Sequence, residues 1–92
     1  MLQNANKHLV LSQDVILQTV GEEIVLLNLK TNQYFSMNPV GARMLDLLKQ
    51  SASIEQAFSS LLEEYAVDPA VLRGDLQELI DNLLKQGLVE II

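Results

Sequence analysis

The side chains able to do chemistry are few and poorly grouped for it. His8 is the one histidine in 92 residues, and an imidazole acts as a base or a metal ligand only with a partner beside it. Asp75, Glu78 and Asp81 recur at helical spacing and Glu63 adjoins Glu64, but neither group has a His or Cys nearby in sequence. Both read as solvated faces and not as metal ligands. Cysteine is absent, which removes disulfides, thiolate nucleophiles and Cys-ligated metals and leaves the redox compartment undetermined. The glycines stand apart at 21, 41, 74 and 87, so no Gly-rich loop cradles a phosphate. This inventory predicts no enzyme, no metal and no cofactor.

The elements that would have to position such groups point to binding. Residues 23–48, EIVLLNLKTNQYFSMNPVGARMLDLL, set a strand, a hairpin, a short strand and a helix start end to end with almost no spacer. Residues 23–29 are apolar on both faces in the middle, as expected for a strand with neighbours on each side. Lys30, Thr31, Asn32 and Gln33 make the hairpin loop, with Asn32 placed for a positive φ. Tyr34, Phe35, Ser36 and Met37 then form a short strand, with Phe35 and Met37 on one face and Tyr34 and Ser36 on the other. It reads as a sheet edge left open beside helices, a place to receive a peptide. Upstream, Gly21 and Glu22 turn the chain after a strand at residues 14–20. Residues 8–11 are apolar and short, and residues 1–7 are polar and expected to be loose, with His8 at the surface.

The helices announce themselves by their caps. Asn38-Pro39 and Asp68-Pro69 each place an N-cap before a Pro at the first helical position. Ser53-Ile54-Glu55-Gln56 fits a capping box. The first helix runs to about Lys49 with Val40, Met44, Leu47 and Leu48 on one face. The second carries Ile54, Ala57, Phe58, Leu61, Leu62 and Tyr65 as a helical stripe. The third runs to Gln86, with Gly87 as its stop, and residues 88–92 are too short for an element and should pack back on the domain. Gly74 inside that helix costs about 1 kcal/mol relative to Ala, with no evident packing role. At about 100° per residue, Leu79, Leu72, Leu83, Leu76, Ile80 and Leu84 span an arc about 140° wide. Asp75, Asn82 and Gln86 flank it on one side, Arg73 and Gln77 on the other. Such an arc fits a central helix touching several neighbours, or one that lines a groove with part of its face. Strands before helices make the class α+β.

A chain of this length is one small domain, and at 49% hydrophobic residues it should fold. With only Phe35, Phe58, Tyr34 and Tyr65 as aromatics, its core must be aliphatic. The net charge is −6, and residues 39–92 carry nine carboxylates against four cations. An acidic surface repels phosphate backbones and anionic lipid, so neither nucleic acid nor membrane is an expected partner, whereas a neutral or basic peptide is compatible. No apolar run approaches the roughly 18 residues of a span, and the N-terminus lacks the pattern of a signal peptide, so a cytoplasmic protein is expected.

Small acidic helical domains invite comparison with acyl carrier proteins, but their Asp-Ser-Leu site has no counterpart here: Ser53 stands in Ala-Ser-Ile and Ser59 adjoins Ser60. The run LNLKTNQYFSMNPVGARMLDLL, followed by an acidic helix pair ending LLKQGLVEI, resembles instead the PqqD family of small peptide-binding domains, also called RiPP recognition elements. The signature from Tyr34 to Ala42 is most similar to the discrete B1 proteins of lasso-peptide biosynthesis, and the likeness spans residues 14–92. It implies a three-stranded antiparallel sheet followed by three helices, similar to a winged helix-turn-helix. It also implies capture of the leader segment of a ribosomally made precursor peptide, which adds as a strand to the third strand and lies against the third helix. A separate leader peptidase of the B2 type would receive it, with a cyclase as a further partner. Carried onto this chain, the peptide-binding residues are Tyr34, Phe35, Ser36 and Met37 together with Leu72, Asp75, Leu76, Leu79 and Leu83. Leaders of this type carry a Tyr, a Pro and a Leu as anchors, and Leu76→Asp is expected to weaken binding by placing an unpaired charge in the groove. Two rival readings compete. A winged-helix DNA-binding or regulatory module needs a basic face, which two cations against four carboxylates on the third helix and its cap do not supply. A homodimer would pair the open edge with its own copy.

Overall fold

Left-handed turn residues place the strands. The computed structural model describes residues 2–92, with β1 (Leu9–Leu11), β2 (Val15–Val20), β3 (Glu23–Asn28), β4 (Gln33–Met37), α1 (Pro39–Gln50), α2 (Ile54–Glu64), α3 (Pro69–Lys85) and β5 (Val89–Ile91) in chain order. β2, β3 and β4 form an antiparallel sheet in that order, and the three helices follow it, an α+β arrangement. Gly21 at φ 63° turns β2 into β3, and Asn32 at φ 61° closes the next hairpin, a region that Gly and Asn enter at little cost. Buried Asn28 completes that hairpin. Its Oδ1 accepts from the Lys30 N–H at 2.9 Å and the Thr31 N–H at 3.3 Å, and its carbonyl accepts from the Asn32 N–H at 2.8 Å. The register sets Leu26 between Leu17 and Phe35 and puts Ile24 opposite Met37. One face of the sheet is therefore apolar and packs on the helices.

The caps form as the sequence predicts, with one variation. Asn38 Oδ1 accepts from the Gly41 N–H at 2.9 Å, and Asp68 Oδ1 from the Ala70 N–H at 2.7 Å. Ser53 Oγ accepts from the Gln56 N–H at 3.1 Å, while Gln56 Oε1 reaches back to the Ala52 N–H, one residue before the cap, at 2.8 Å. At the end of α3, Gly87 adopts φ 68°, and the N–H groups of Gly87 and Leu88 return to the carbonyls of Leu84 and Leu83. This is a Schellman closure. The core joins Ile24, Leu26 and Met37 of the sheet to Leu45 and Leu48 of α1, Ile54, Ala57 and Leu61 of α2, and Leu72, Leu76, Ile80 and Leu83 of α3.

Both chain ends depart from the sequence reading. Residues 88–92 do contain a strand: β5 pairs antiparallel with β1, Leu11 opposite Val89 and Leu9 opposite Ile91. The partners are three residues each and lie at opposite ends of the chain, so periodicity within either end could not reveal them. Of residues 1–7, expected to be loose, residue 1 lies outside the described residues and residues 2–7 lie against the helices. Leu2 is buried, the Gln3 N–H donates to Gln77 Oε1 at 3.0 Å, and the carbonyls of Lys7 and Ala5 accept from the Ile54 and Glu55 N–H groups at 2.8 Å each. The N-terminal segment thus satisfies two first-turn donors of α2 that have no partner within the helix. His8 is half-buried beside that segment, and its Nδ1 is enclosed without a hydrogen-bond partner.

Candidate functional site

Among the described residues, β4 is the last strand of its sheet and pairs only with β3. On such an edge, alternate residues direct their N–H and C=O groups outward, free to pair. Alternation of the side chains follows the sequence reading. Met37 is buried and Phe35 half-buried on the core face, while Tyr34 is 71% exposed and Ser36 exposed on the other. The Leu29 N–H donates to the Asp14 carbonyl, so alternation turns Ile24, Leu26 and Asn28 towards β4. Phe35 and Met37 therefore pair with β3 and send side chains to the core, and Tyr34 and Ser36 present backbone to the free edge.

A second wall stands beside this edge. Near the hairpin, a concavity of ≈ 760 Å³ lies between Asn32, Gln33 and Tyr34 on one side and Asn82, Lys85 and Gln86 of α3 on the other. Near the start of α1, a second of ≈ 280 Å³ lies between Asn38, Val40, Gly41 and Met44 and the α3 residues Asp75, Glu78, Leu79 and Asn82. Asn82 borders both, so the two adjoin along one flank of α3. Along α3 this flank advances by three, four, seven, ten and eleven residues from Asp75, one continuous stripe about 16 Å long. Five residues of β4 at about 3.3 Å each cover the same length. The groove thus matches an extended segment of about five residues.

The flank is not the face that sequence reasoning favoured. Leu72, Leu76 and Leu83 are 4%, 0% and 0% exposed, so they offer no surface to a ligand. This corrects the expectation that they line the groove, and with it the expectation for Leu76→Asp, which would place its charge in the core. They are held there because the helices and the sheet close over the middle of the arc, whereas the groove runs along its margin. Of the α3 residues expected to bind, exposed Asp75 and half-buried Leu79 border the groove. Asn82 and Gln86 were visible in the sequence as flanking positions. Glu78, Lys85, Val40 and Gly41 were missed. Val40 was assigned to the packed face of α1 yet is 47% exposed; its position one turn before buried Met44, at the very start of the helix, was the available signal. Gly41 keeps the groove floor close to the strand, since a Cβ there would meet Met37 Cβ at 3.3 Å and Asn38 Oδ1 at 3.5 Å.

A third concavity, ≈ 410 Å³, lies on the other side of α1 between Thr19, Gly21, Glu22 and Asp46. Two of its four charged residues, Arg43 and Glu64, are paired. Arg43 Nε donates to both carboxylate oxygens of Glu64 at 2.9 Å, and Nη2 also contacts Oε1. That hydrogen bonding holds the Glu64 carboxyl below the usual carboxylate range and raises the Arg43 guanidinium above its own. Among the described residues, no group of three or more His, Cys, Asp or Glu is arranged to hold a metal ion, and no helix is long and apolar enough to cross a membrane.

Comparison with known proteins gives a family and two structural likenesses. The family described as coenzyme PQQ synthesis protein D (PqqD) matches residues 23–89. Among solved structures, the chain is similar to TbiB1 in complex with the TbiA(beta) leader peptide, at 31% identity over 87% of this chain and 93% of that one, with a TM-score of 0.80. It has the fold of a lasso peptide synthetase B1 complexed with the leader peptide, at 20% identity over 90% and 98% of the two chains and a TM-score of 0.81. No curated protein matches it.

Proposed function

Because the chain belongs to the PqqD family, we propose that it is a non-catalytic recognition protein for the leader segment of a ribosomally synthesised precursor peptide of the lasso class. The leader adds to the free edge of β4 as a fourth strand and lies against the Asp75 to Gln86 flank of α3. The bound precursor is then presented in the cytoplasm to a separate leader peptidase, with a cyclase acting on the product. The observation that carries this reading is the unpaired β4 edge faced by a groove of matching length, in a chain similar to one solved with a leader peptide on it. Main-chain pairing supplies affinity that depends little on sequence, and exposed Tyr34, Val40 and Leu79 supply contacts that do depend on it. The acidic surface of α3 gives no support to a DNA-binding alternative.

Fluorescence anisotropy tests the proposal, using the leader of the short precursor encoded nearest this chain and the TbiA(beta) leader as a second probe. Saturable binding is expected, with amide shifts concentrated in β4 and the α3 flank in an NMR titration. Absence of binding by both peptides at tens of micromolar, or shifts confined to the concavity beside Arg43, refutes it. Mixing the bound precursor with the peptidase should speed leader removal, which tests the presentation step.

A further inference from the structure

We infer that the groove is polarised and selects peptides by the order of their charges: a Lys or Arg upstream of the apolar contact, and no positive charge downstream of it. The inference rests on the leader-binding reading above. At the end where β4 runs into α1, the groove is bordered by exposed Asp75 and Glu78 beside Val40 and Leu79. At the hairpin end it is bordered by Lys85 and Tyr34, next to the loop that carries Lys30. The charge of the wall therefore changes sign within about 10–15 Å, still more than one Debye length at physiological salt.

Helix dipoles modify the two ends without reversing them. The start of α1 adds about half a positive charge near Asp75 and Glu78, and its cap takes up the Gly41 N–H. The end of α3 adds about half a negative charge near Lys85. Two full carboxylates thus outweigh one dipole at the first end, while Lys85 is partly offset at the second. Selection for the basic residue is the stronger of the two preferences.

Strand direction turns this polarity into an order along the peptide. Both pairings in the sheet are antiparallel, and sheets of a single sense are favoured over mixed ones. β4 runs from the Lys85 end to the Asp75 end, so an antiparallel fourth strand enters at Asp75 and Glu78 and leaves at Lys85. Its basic residue lies towards its N-terminus and its apolar residue follows, over Leu79 and Val40.

The test selects a random-peptide library displayed on phage against the full chain and measures the enriched peptides on three variants. The enriched sequences should share a Lys or Arg upstream of an apolar residue. Their affinity should fall about ten-fold on Asp75→Asn/Glu78→Gln, a few-fold for each exposed pair lost, and the difference should close at high salt. Lys85→Glu should admit peptides carrying a downstream Lys. Peptides that weaken on Tyr34→Ala yet bind Asp75→Asn/Glu78→Gln as they bind wild type overturn the polarity and leave leader capture standing. Peptides indifferent to all three variants, or a library that yields no binder, overturn leader capture and the polarity with it.

Discussion

Leu76 and Tyr34 separate the two things that a mutation near β4 can break. Leu76 is 0% exposed at the centre of the packed arc of α3, so truncation to Ala leaves a cavity and costs about 3–5 kcal/mol. At roughly 0.05–0.15 kcal/mol per residue, a chain this long holds only about 5–14 kcal/mol of stability in all. Leu76→Ala should therefore lower the urea midpoint by about a fifth or more, while the molecules that remain folded bind a leader with unchanged Kd. Tyr34 is 71% exposed on an edge strand, and replacing it costs less than about 1 kcal/mol of stability. A peptide strand that covers about 80 Å² of its ring gains about 2 kcal/mol at about 25 cal/mol per Å², or roughly 30-fold in Kd. Losses from ordering the peptide trim this to about ten-fold at the low end. Urea melts and leader anisotropy on the two Ala variants give the comparison. The reasoning is refuted if Leu76→Ala weakens Kd at an unchanged midpoint while Tyr34→Ala binds like wild type.

Gly74→Ala should raise stability by about 0.5–1 kcal/mol, because among the described residues no atom beyond the local helix backbone lies within 4 Å of the added Cβ and Ala is the better helix former; a lower urea midpoint would contradict this. Leu2→Ala should cost about 2 kcal/mol by opening the packing beside Phe58 and Arg73, whereas a loose terminus would show no change. Asn28→Ala should cost about 1–2 kcal/mol by stranding the Lys30 and Thr31 N–H groups, seen as faster amide exchange in the hairpin. The Arg43 hydrogen bond depresses Glu64 in the folded state, so its stabilisation is present at neutral pH and lost as pH falls through that lowered pKa. The midpoints of wild type and Glu64→Gln should accordingly converge in acid, and a gap constant with pH would refute the linkage.

What the sequence made legible was local. Asn32, Asn38, Ser53, Asp68 and Gly87 mark boundaries through their own short-range hydrogen bonds or φ values, and all of them act where their types require. The alternation of β4 was legible for the same reason, because it follows from backbone geometry alone. The β1–β5 pair and the docked N-terminal segment were not legible, since each depends on residues more than forty positions away in the chain. The groove falls between these cases. A helical wheel identifies the width of the apolar arc on α3 but not which part of it the neighbours cover. Those neighbours cover the middle, so Leu76 belongs to the core and the less conspicuous margin from Asp75 to Gln86 borders the groove.

That placement has an energetic consequence for recognition. A five-residue strand added to β4 makes about four or five main-chain hydrogen bonds, worth about 2–7 kcal/mol in total. Losing the freedom of two separate molecules costs at least about 4 kcal/mol. Main-chain pairing alone therefore holds a peptide weakly or not at all, and the side chains that border the edge must decide which peptides stay. Those side chains, Tyr34, Val40, Leu79 and the charged residues of the α3 flank, are exposed or half-buried. Their replacement should change the ligand preference at little cost to the fold, because the residues that hold α3 in place lie on its other side. A domain with so small a core can thus change its peptide by a few surface substitutions while Leu72, Leu76, Ile80 and Leu83 keep the wall where the edge strand needs it.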